Sequence, residues 1–228
     1  MRSDVPQAVL FDMDGTLVDT EGLWWSATAS VAGSLGVLLT PDDTPHVLGR
    51  TVEDTAAHLL SVRQAPLPEG DTGDASPAPG RRDGVRRRSA PQHGDQPTVA
   101  RLLTEAFADH IRQGVRVMPG ARELLRELTE ARIPTALVSA SPRSIVDLVM
   151  PRLGHAFDLV VAAEDTACGK PYPDPYLKAA RQLGVDPKLC VAIEDSPTGV
   201  AAATAAGCRV VVVDPAAGLP ALRAMSVS

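Results

Sequence analysis

Aromatic residues are scarce in this chain: three Phe, two Tyr and two Trp among 228 residues. Cysteine is as rare and poorly placed for metal chemistry. Cys168, Cys190 and Cys208 lie far apart without Cys-x-x-Cys spacing, which argues against zinc binding and for thiols acting as small hydrophobes in a reducing compartment. The five histidines, His46, His58, His93, His110 and His155, contain no ligand-spaced pair. No apolar run approaches the roughly 20 residues that span a bilayer, so no membrane partner is expected. The stretch Met1 to Asp12 has only Ala8 to Phe11 as an apolar core and runs straight into charge, unlike a secretory leader. A cytoplasmic location is the expectation. The net charge is −6 and the basic residues gather on no evident helix or strand, so no nucleic-acid partner is expected either.

Apolar residues make up 44% of the chain, enough for an ordinary globular core. From residue 119 onward their spacing is regular. Helical patterns at Gly120–Arg132, Arg143–Leu153, Asp174–Leu183 and Thr198–Ala206 alternate with short apolar runs at Pro134–Val138, Leu159–Ala163, Cys190–Ile193 and Arg209–Val213. Such alternation predicts βαβ units and a parallel sheet, with Ala8–Phe11 as a further strand. The roughly hundred residues after that first strand carry no strand signal. They read as three helices: Glu21–Leu35, Thr51–Val62 with Thr51 and Asp54 resembling a capping box, and Thr98–Arg112. Between the last two, residues 62–97 are rich in Pro, Gly and Arg without apolar periodicity, a disordered or irregular insertion.

Ligands bind an open parallel sheet at the carboxyl ends of its strands. Those ends carry Asp12 and Asp14, then Ser139-Ala140-Ser141, then Glu194-Asp195, with Lys170 in the loop Gly169-Lys170-Pro171. Three or four carboxylates at one edge repel one another without a cation, and Mg²⁺ is the natural guest for oxygen ligands. Ser139 precedes Pro142, read as a first helical residue, so amides there form an anion site at a helix N-terminus. Lys170 is one of only three lysines among 22 basic residues.

These segments resemble the four motifs of the haloacid dehalogenase superfamily, in the branch of β-phosphoglucomutase and the small sugar-phosphate phosphatases. The first is Asp12-Met13-Asp14-Gly15-Thr16-Leu17-Val18-Asp19-Thr20-Glu21, the second Leu137-Val138-Ser139-Ala140-Ser141, the third Gly169-Lys170-Pro171 and the fourth Ile193-Glu194-Asp195-Ser196. The likeness covers nearly the whole chain except residues 62–97. It implies an α/β fold, a Rossmann-like parallel sheet core (1–19 and 115–228) with a helical cap domain (20–114) inserted after the first strand. It also implies a Mg²⁺-dependent phosphatase, expected as a monomer acting on a small phosphorylated metabolite. Asp12 would be the nucleophile and Asp14 the acid and base. Mg²⁺ would be held by Asp12, the Asp14 carbonyl and Asp195, with Glu194 a ligand or a partner just behind. Ser139, the Ala140 amide and Lys170 would hold the transferring phosphoryl oxygens. Arg50, in Leu48-Gly49-Arg50-Thr51, is a candidate substrate contact from the cap.

Two rivals follow from the same residues. Mutases of this branch carry a histidine where Trp24 stands, and tryptophan cannot exchange protons, so hydrolysis is favoured. A phospho-accepting signalling module also clusters acids, Ser or Thr and Lys, but it places its acidic pair before the acceptor and has no hundred-residue insertion. A dehalogenase has no need of the acid that Asp14 supplies.

Overall fold

The computed structural model of the chain describes residues 5–64, 94–214 and 217–225. Strand β1 (Ala8–Phe11) is followed by a two-residue strand β2 (Val18–Asp19), and then by helices α1 (Glu21–Ser34), α2 (Thr44–Val47), α3 (Val52–Gln64) and α4 (Gln96–Gln113). Next come β3 (Arg116–Val117), α5 (Ala121–Ala131), β4 (Thr135–Val138), α6 (Arg143–Leu153) and β5 (Leu159–Val161). The chain ends its regular structure with α7 (Asp174–Leu183), β6 (Cys190–Glu194), α8 (Pro197–Ala206) and β7 (Arg209–Val212). None of the described helices is long and apolar enough to cross a membrane.

Five strands form a wholly parallel sheet in the order β5-β4-β1-β6-β7. Because side chains alternate between faces, β1 sends Val9 and Phe11 to one side and Ala8 and Leu10 to the other. The first side meets Leu124, Leu125 and Leu128 of α5 and Ile145, Val146 and Val149 of α6. The second meets Tyr176, Ala179 and Ala180 of α7 and the small residues Ala202, Ala203 and Ala206 of α8. Strands β1, β4 and β6 are buried throughout. A fully buried side chain of the size of Leu10 or Phe11 contributes about 1.5–3 kcal/mol, so the strand ending at Asp12 is firmly anchored from both faces.

The expectation of a strand-free stretch after β1 needs correction. β2 pairs antiparallel with β3, Val18 opposite Val117 and Asp19 opposite Arg116, and the Arg116 guanidinium donates to the Asp19 carboxylate at 2.6 Å. Two-residue strands give too short an alternation to be seen in sequence. The ribbon lies where the helical segment leaves and rejoins the sheet-bearing part. Helices α1, α3 and α4 bury Val31, Ala32, Leu59, Val99 and Leu103 around a cluster of their own. The bases of α1 and α4 also reach the sheet side through Ala27, Phe107 and Ile111.

Helices α4 and α8 begin earlier than their apolar spacing suggests. Asp95 accepts from the Thr98 amide at 3.1 Å and Ser196 from the Gly199 amide at 3.1 Å, with Pro97 and Pro197 inside the first turn. Proline fits there because its missing N–H would have had no helical partner. Thr51 accepts from the Asp54 amide at 3.1 Å, the forward half of the expected capping box. Residues 62–64 and 96–97, assigned in sequence to the irregular insertion, are helical. Gly94 and Asp95 lead into α4, and residues 65–93 of that insertion lie outside the described residues.

Candidate active site

The sheet order places the carboxyl ends of β4, β1 and β6 side by side, so Ser139, Asp12 and Asp195 converge although more than fifty residues separate each in sequence. The turn after β1 is tight. Leu17 N–H donates to Met13 O at 2.9 Å and Gly15 N–H to Val18 O at 2.8 Å. Gly15 has φ +82°, and a Cβ there would stand 2.1 Å from Asp195 Oδ2. Only glycine permits both the backbone angle and the close approach. Thr16 then donates to Asp195 Oδ1 at 2.9 Å, tying the first motif to the fourth.

Asp12 is buried. Its Oδ1 accepts from Lys170 Nζ at 2.6 Å, while its Oδ2 is the one buried side-chain polar atom among the described residues with no hydrogen-bond partner. Burial pushes the Asp12 carboxyl well above the usual carboxylate range. Lys170 opposes that, and Glu194, Asp195 and Asp14 add to it. Asp14 is turned away from this pair. It accepts from Thr20 Oγ1 at 2.9 Å and Ser141 Oγ at 2.8 Å, and Ser139 Oγ stands at 3.4 Å. Burial raises its carboxyl also, with the Ser141 and Thr20 bonds pulling the other way. Asp195 is pushed up to about 6, chiefly by burial.

Lys170 bridges two carboxylates, with Glu194 Oε1 at 2.5 Å on its far side. Burial alone would lower its ammonium, but the Asp12 and Glu194 carboxylates beside it outweigh that and hold the lysine well above its ordinary value. Glu194 is fully buried and also takes the Tyr176 hydroxyl at 2.6 Å on Oε1 and Ser196 Oγ at 3.2 Å on Oε2. Oxygens of Asp12, Glu194 and Asp195 lie within 4.8 Å of one another, close enough to share a metal ion. The donor set suits a hard cation, for three carboxylates face one ammonium and Asp12 Oδ2 lacks a partner.

In front of these groups opens a cavity of about 380 Å³. Asp12, Asp14, Ala140, Lys170 and Asp195 line it from the sheet side, and Trp24, Arg50 and Phe107 from the helices opposite. Trp24 is fixed by a bond from its indole N–H to Val47 O at 2.9 Å and by an edge contact with Phe107. Arg50 donates through Nε to Pro45 O at 2.9 Å. Among the sequence-assigned residues, Ser139 and Glu194 do not line the cavity. They stand buried behind Asp14 and Lys170. The reading of Pro142 as a first helical residue also needs correction. It precedes α6 with φ −57° and ψ 151°, and the Arg143 amide donates to the Glu164 carboxylate at 3.0 Å. That end of the helix is thus already answered by an acid.

Three residues were missed by sequence reasoning. Ser141 stands in sequence only as the end of Ser139-Ala140-Ser141, yet it faces the cavity and holds Asp14. Thr20 sits inside the first motif, six residues from Asp14, and its spacing gave no sign of contact. Tyr176 was absorbed into a helix pattern, although a hydroxyl on the inward face of α7 requires a partner and so marks a polar site.

Comparison with known proteins agrees with this geometry. The family model for haloacid dehalogenase-like hydrolases matches residues 6–207. The chain is 34% identical over 211 residues to hexitol phosphatase B of Escherichia coli, covering 90% of this chain and 82% of that protein. It is 30% identical to the fructose-1-phosphate phosphatase of E. coli, covering 87% and 92%. The crystal structure of CbbY from Rhodobacter sphaeroides in complex with phosphate superposes with a TM-score of 0.71 at 29% identity, covering 91% of this chain and 86% of that one. The chain belongs to the haloacid dehalogenase-like hydrolases, in their sugar-phosphate phosphatase-like branch, and is an enzyme of the phosphatase type.

Proposed function

We propose that this enzyme hydrolyses a sugar or polyol phosphate by transferring the phosphoryl group to Asp12 and then to water. The observation that carries the reading is the division of labour within the Asp12 carboxylate. Lys170 holds Oδ1, and Oδ2 is buried without a partner, free to form a bond to phosphorus. Asp14 suits the acid and base role. Its raised carboxyl favours the protonated form needed to donate to the leaving oxygen, and Thr20 and Ser141 fix its direction. After the alcohol departs, the ionised Asp14 can take a proton from the water that attacks the aspartyl phosphate. Lys170 lends positive charge to the phosphoryl oxygens, helped by the Ala140 amide at the cavity wall.

Mg²⁺ fits the acidic cluster, with Asp12, the main-chain carbonyl of Asp14 and Asp195 as its holders. When bound it would offset the charge of the carboxylates and of the arriving phosphate. Glu194 stands behind, answered by Lys170, Tyr176 and Ser196.

The helices α1 to α4 would act as the cap that excludes water from the cavity. Its walls suit a polyhydroxy substrate: Trp24 and Phe107 offer apolar faces for C–H groups, while Glu21, Arg50, Thr51 and Asp54 offer polar groups for hydroxyls. Two relatives are named for phosphatase activity on hexitol phosphates and fructose 1-phosphate, which supports that substrate class. Trp24 supports hydrolysis over a mutase reaction, because the indole has no proton to exchange and its N–H is already given to Val47. A cytoplasmic monomer is the setting we propose. The test is a panel of hexitol, hexose, pentose and nucleoside monophosphates assayed for phosphate release with Mg²⁺ and with EDTA. Fast turnover of a polyol or sugar phosphate that EDTA abolishes supports the reading. Turnover confined to nucleotides, or indifferent to EDTA, overturns it.

A further inference from the structure

Tyr176 is the largest fully buried side chain among the described residues and one of only two tyrosines in the chain. Its ring packs with Ala179 and Ala180 against the sheet, a place that phenylalanine would fill equally well. The hydroxyl is therefore the feature that needs a reason, since a buried O–H is costly unless it is bonded. It donates to Glu194 Oε1 at 2.6 Å, the same oxygen that Lys170 Nζ reaches at 2.5 Å. The Lys170 ammonium also stands 5.3 Å from the centre of the Tyr176 ring. One side chain thus touches both members of the ion pair that holds the nucleophile's lysine.

The rest of the surroundings keeps Glu194 where Tyr176 can meet it. Ser196 Oγ donates to Glu194 Oε2 at 3.2 Å. Gly199 of α8 leaves the room the carboxylate occupies, because a Cβ at that position would lie 1.9–2.1 Å from its atoms. Lys170 must serve two acids at once, Glu194 behind it and Asp12 in front, at 2.5 and 2.6 Å. A carboxylate oxygen that already accepts a hydroxyl hydrogen bond has less negative charge to offer a second donor. The Tyr176 bond therefore weakens Glu194's hold on Lys170 and leaves more of the ammonium's charge on the Asp12 side.

We propose that Tyr176 is a positioning residue for phosphoryl transfer, its hydroxyl dividing Glu194's charge so that Lys170 stays aimed at Asp12 and the transferring group. The proposal rests on the phosphatase reading above, and it concerns a residue that touches neither substrate nor metal. Removing the hydroxyl lets Glu194 draw Lys170 back. That weakens stabilisation of charge that builds up in the transition state, so the loss belongs in kcat and not in KM.

The experiment compares wild type, Tyr176→Phe, Glu194→Gln and the double variant, with Mg²⁺ and the sugar or polyol phosphate that wild type turns over fastest. Melting temperatures are recorded alongside. Loss of a hydrogen bond to a charged group corresponds to a fall of about ten- to 150-fold in kcat for Tyr176→Phe, with KM within about twofold. In the Glu194→Gln background the same change should cost less than about twofold, since a residue acting through Glu194 has nothing left to act on. An unchanged kcat with a lowered melting temperature makes the hydroxyl purely structural and overturns the proposal. So does an equal loss in both backgrounds. A wild type that hydrolyses none of the panel overturns the phosphatase reading itself and this inference with it, an outcome distinct from an active wild type matched by Tyr176→Phe.

Discussion

Replacing Lys170 by Met should destabilise the metal-free protein in a way that depends on pH. The lysine side chain is 4% exposed and its partners Asp12 and Glu194 are 8% and 0% exposed. Methionine fills the same volume and removes the only cation among the described residues in contact with either carboxylate, which leaves two buried acids facing each other. Breaking a buried pair by deleting one partner costs about 3–5 kcal/mol, because the remaining charge is uncompensated. The site has an escape, since one of the acids can take up a proton. Burial already holds the Asp12 carboxyl above its ordinary range, and loss of Lys170 removes the positive charge that pulls it down. The folded variant therefore binds about one proton more than the unfolded chain at neutral pH, so its stability falls as pH rises, by about 1.4 kcal/mol per pH unit. The loss relative to wild type should be small near pH 5 and approach the full 3–5 kcal/mol near pH 8. For a chain of this length that upper figure corresponds to roughly 6–20 °C in melting temperature. Urea denaturation in EDTA at pH 5, 6, 7 and 8 measures it. A difference below about 1 kcal/mol at pH 8, or one that does not change with pH, would refute the argument that Lys170 neutralises a buried acidic pair.

The sequence showed the sheet and the location of the site well because both depend on local pattern. Runs such as Cys190–Ile193 and helices such as Arg143–Leu153 alternate at lengths that βαβ units satisfy, Asp12 and Asp195 stand directly after strand ends, and Lys170 lies in the loop before α7. What it concealed depends on contacts between distant residues. The partnership of Thr16 with Asp195 spans 179 positions and that of Ser141 with Asp14 spans 127, and no periodicity carries such information. The β2–β3 ribbon was hidden by its two-residue strands. Pro142 looked like a helix start from its neighbours, but Glu164, from the loop after β5, supplies the cap and sets the first helical residue at Arg143.

Asp195→Asn should stabilise the metal-free protein at pH 7.5. A carboxyl held at about 6 when folded and 3.8 when unfolded costs stability as pH rises from about 4 to 6, about 3 kcal/mol at most and half that after solvent screening. The same variant should lose the rise in melting temperature that Mg²⁺ gives wild type, and a retained rise would remove Asp195 from the metal site. Asp14→Asn should lower kcat by about 10²–10⁴ on a sugar phosphate and far less on p-nitrophenyl phosphate, whose leaving group needs no acid. Equal losses on both substrates would deny Asp14 the acid role. Gly199→Ala should push the Glu194 carboxylate by roughly 1.5 Å to restore ordinary contact distances, and lower both melting temperature and kcat because Lys170 follows its partner. A fully active Gly199→Ala would show that the lysine does not need Glu194 in place.

The central claim is that Asp12 carries the phosphoryl group, and the direct measurement is peptide mass spectrometry after rapid acid quench of enzyme turning over its best substrate with Mg²⁺. The account predicts a phosphorylated peptide containing Asp12, with the phosphoryl group on that residue, and no such peptide from Asp12→Asn. A phosphoryl group on another residue, or an Asp12→Asn variant that turns over at the wild-type rate, would contradict it.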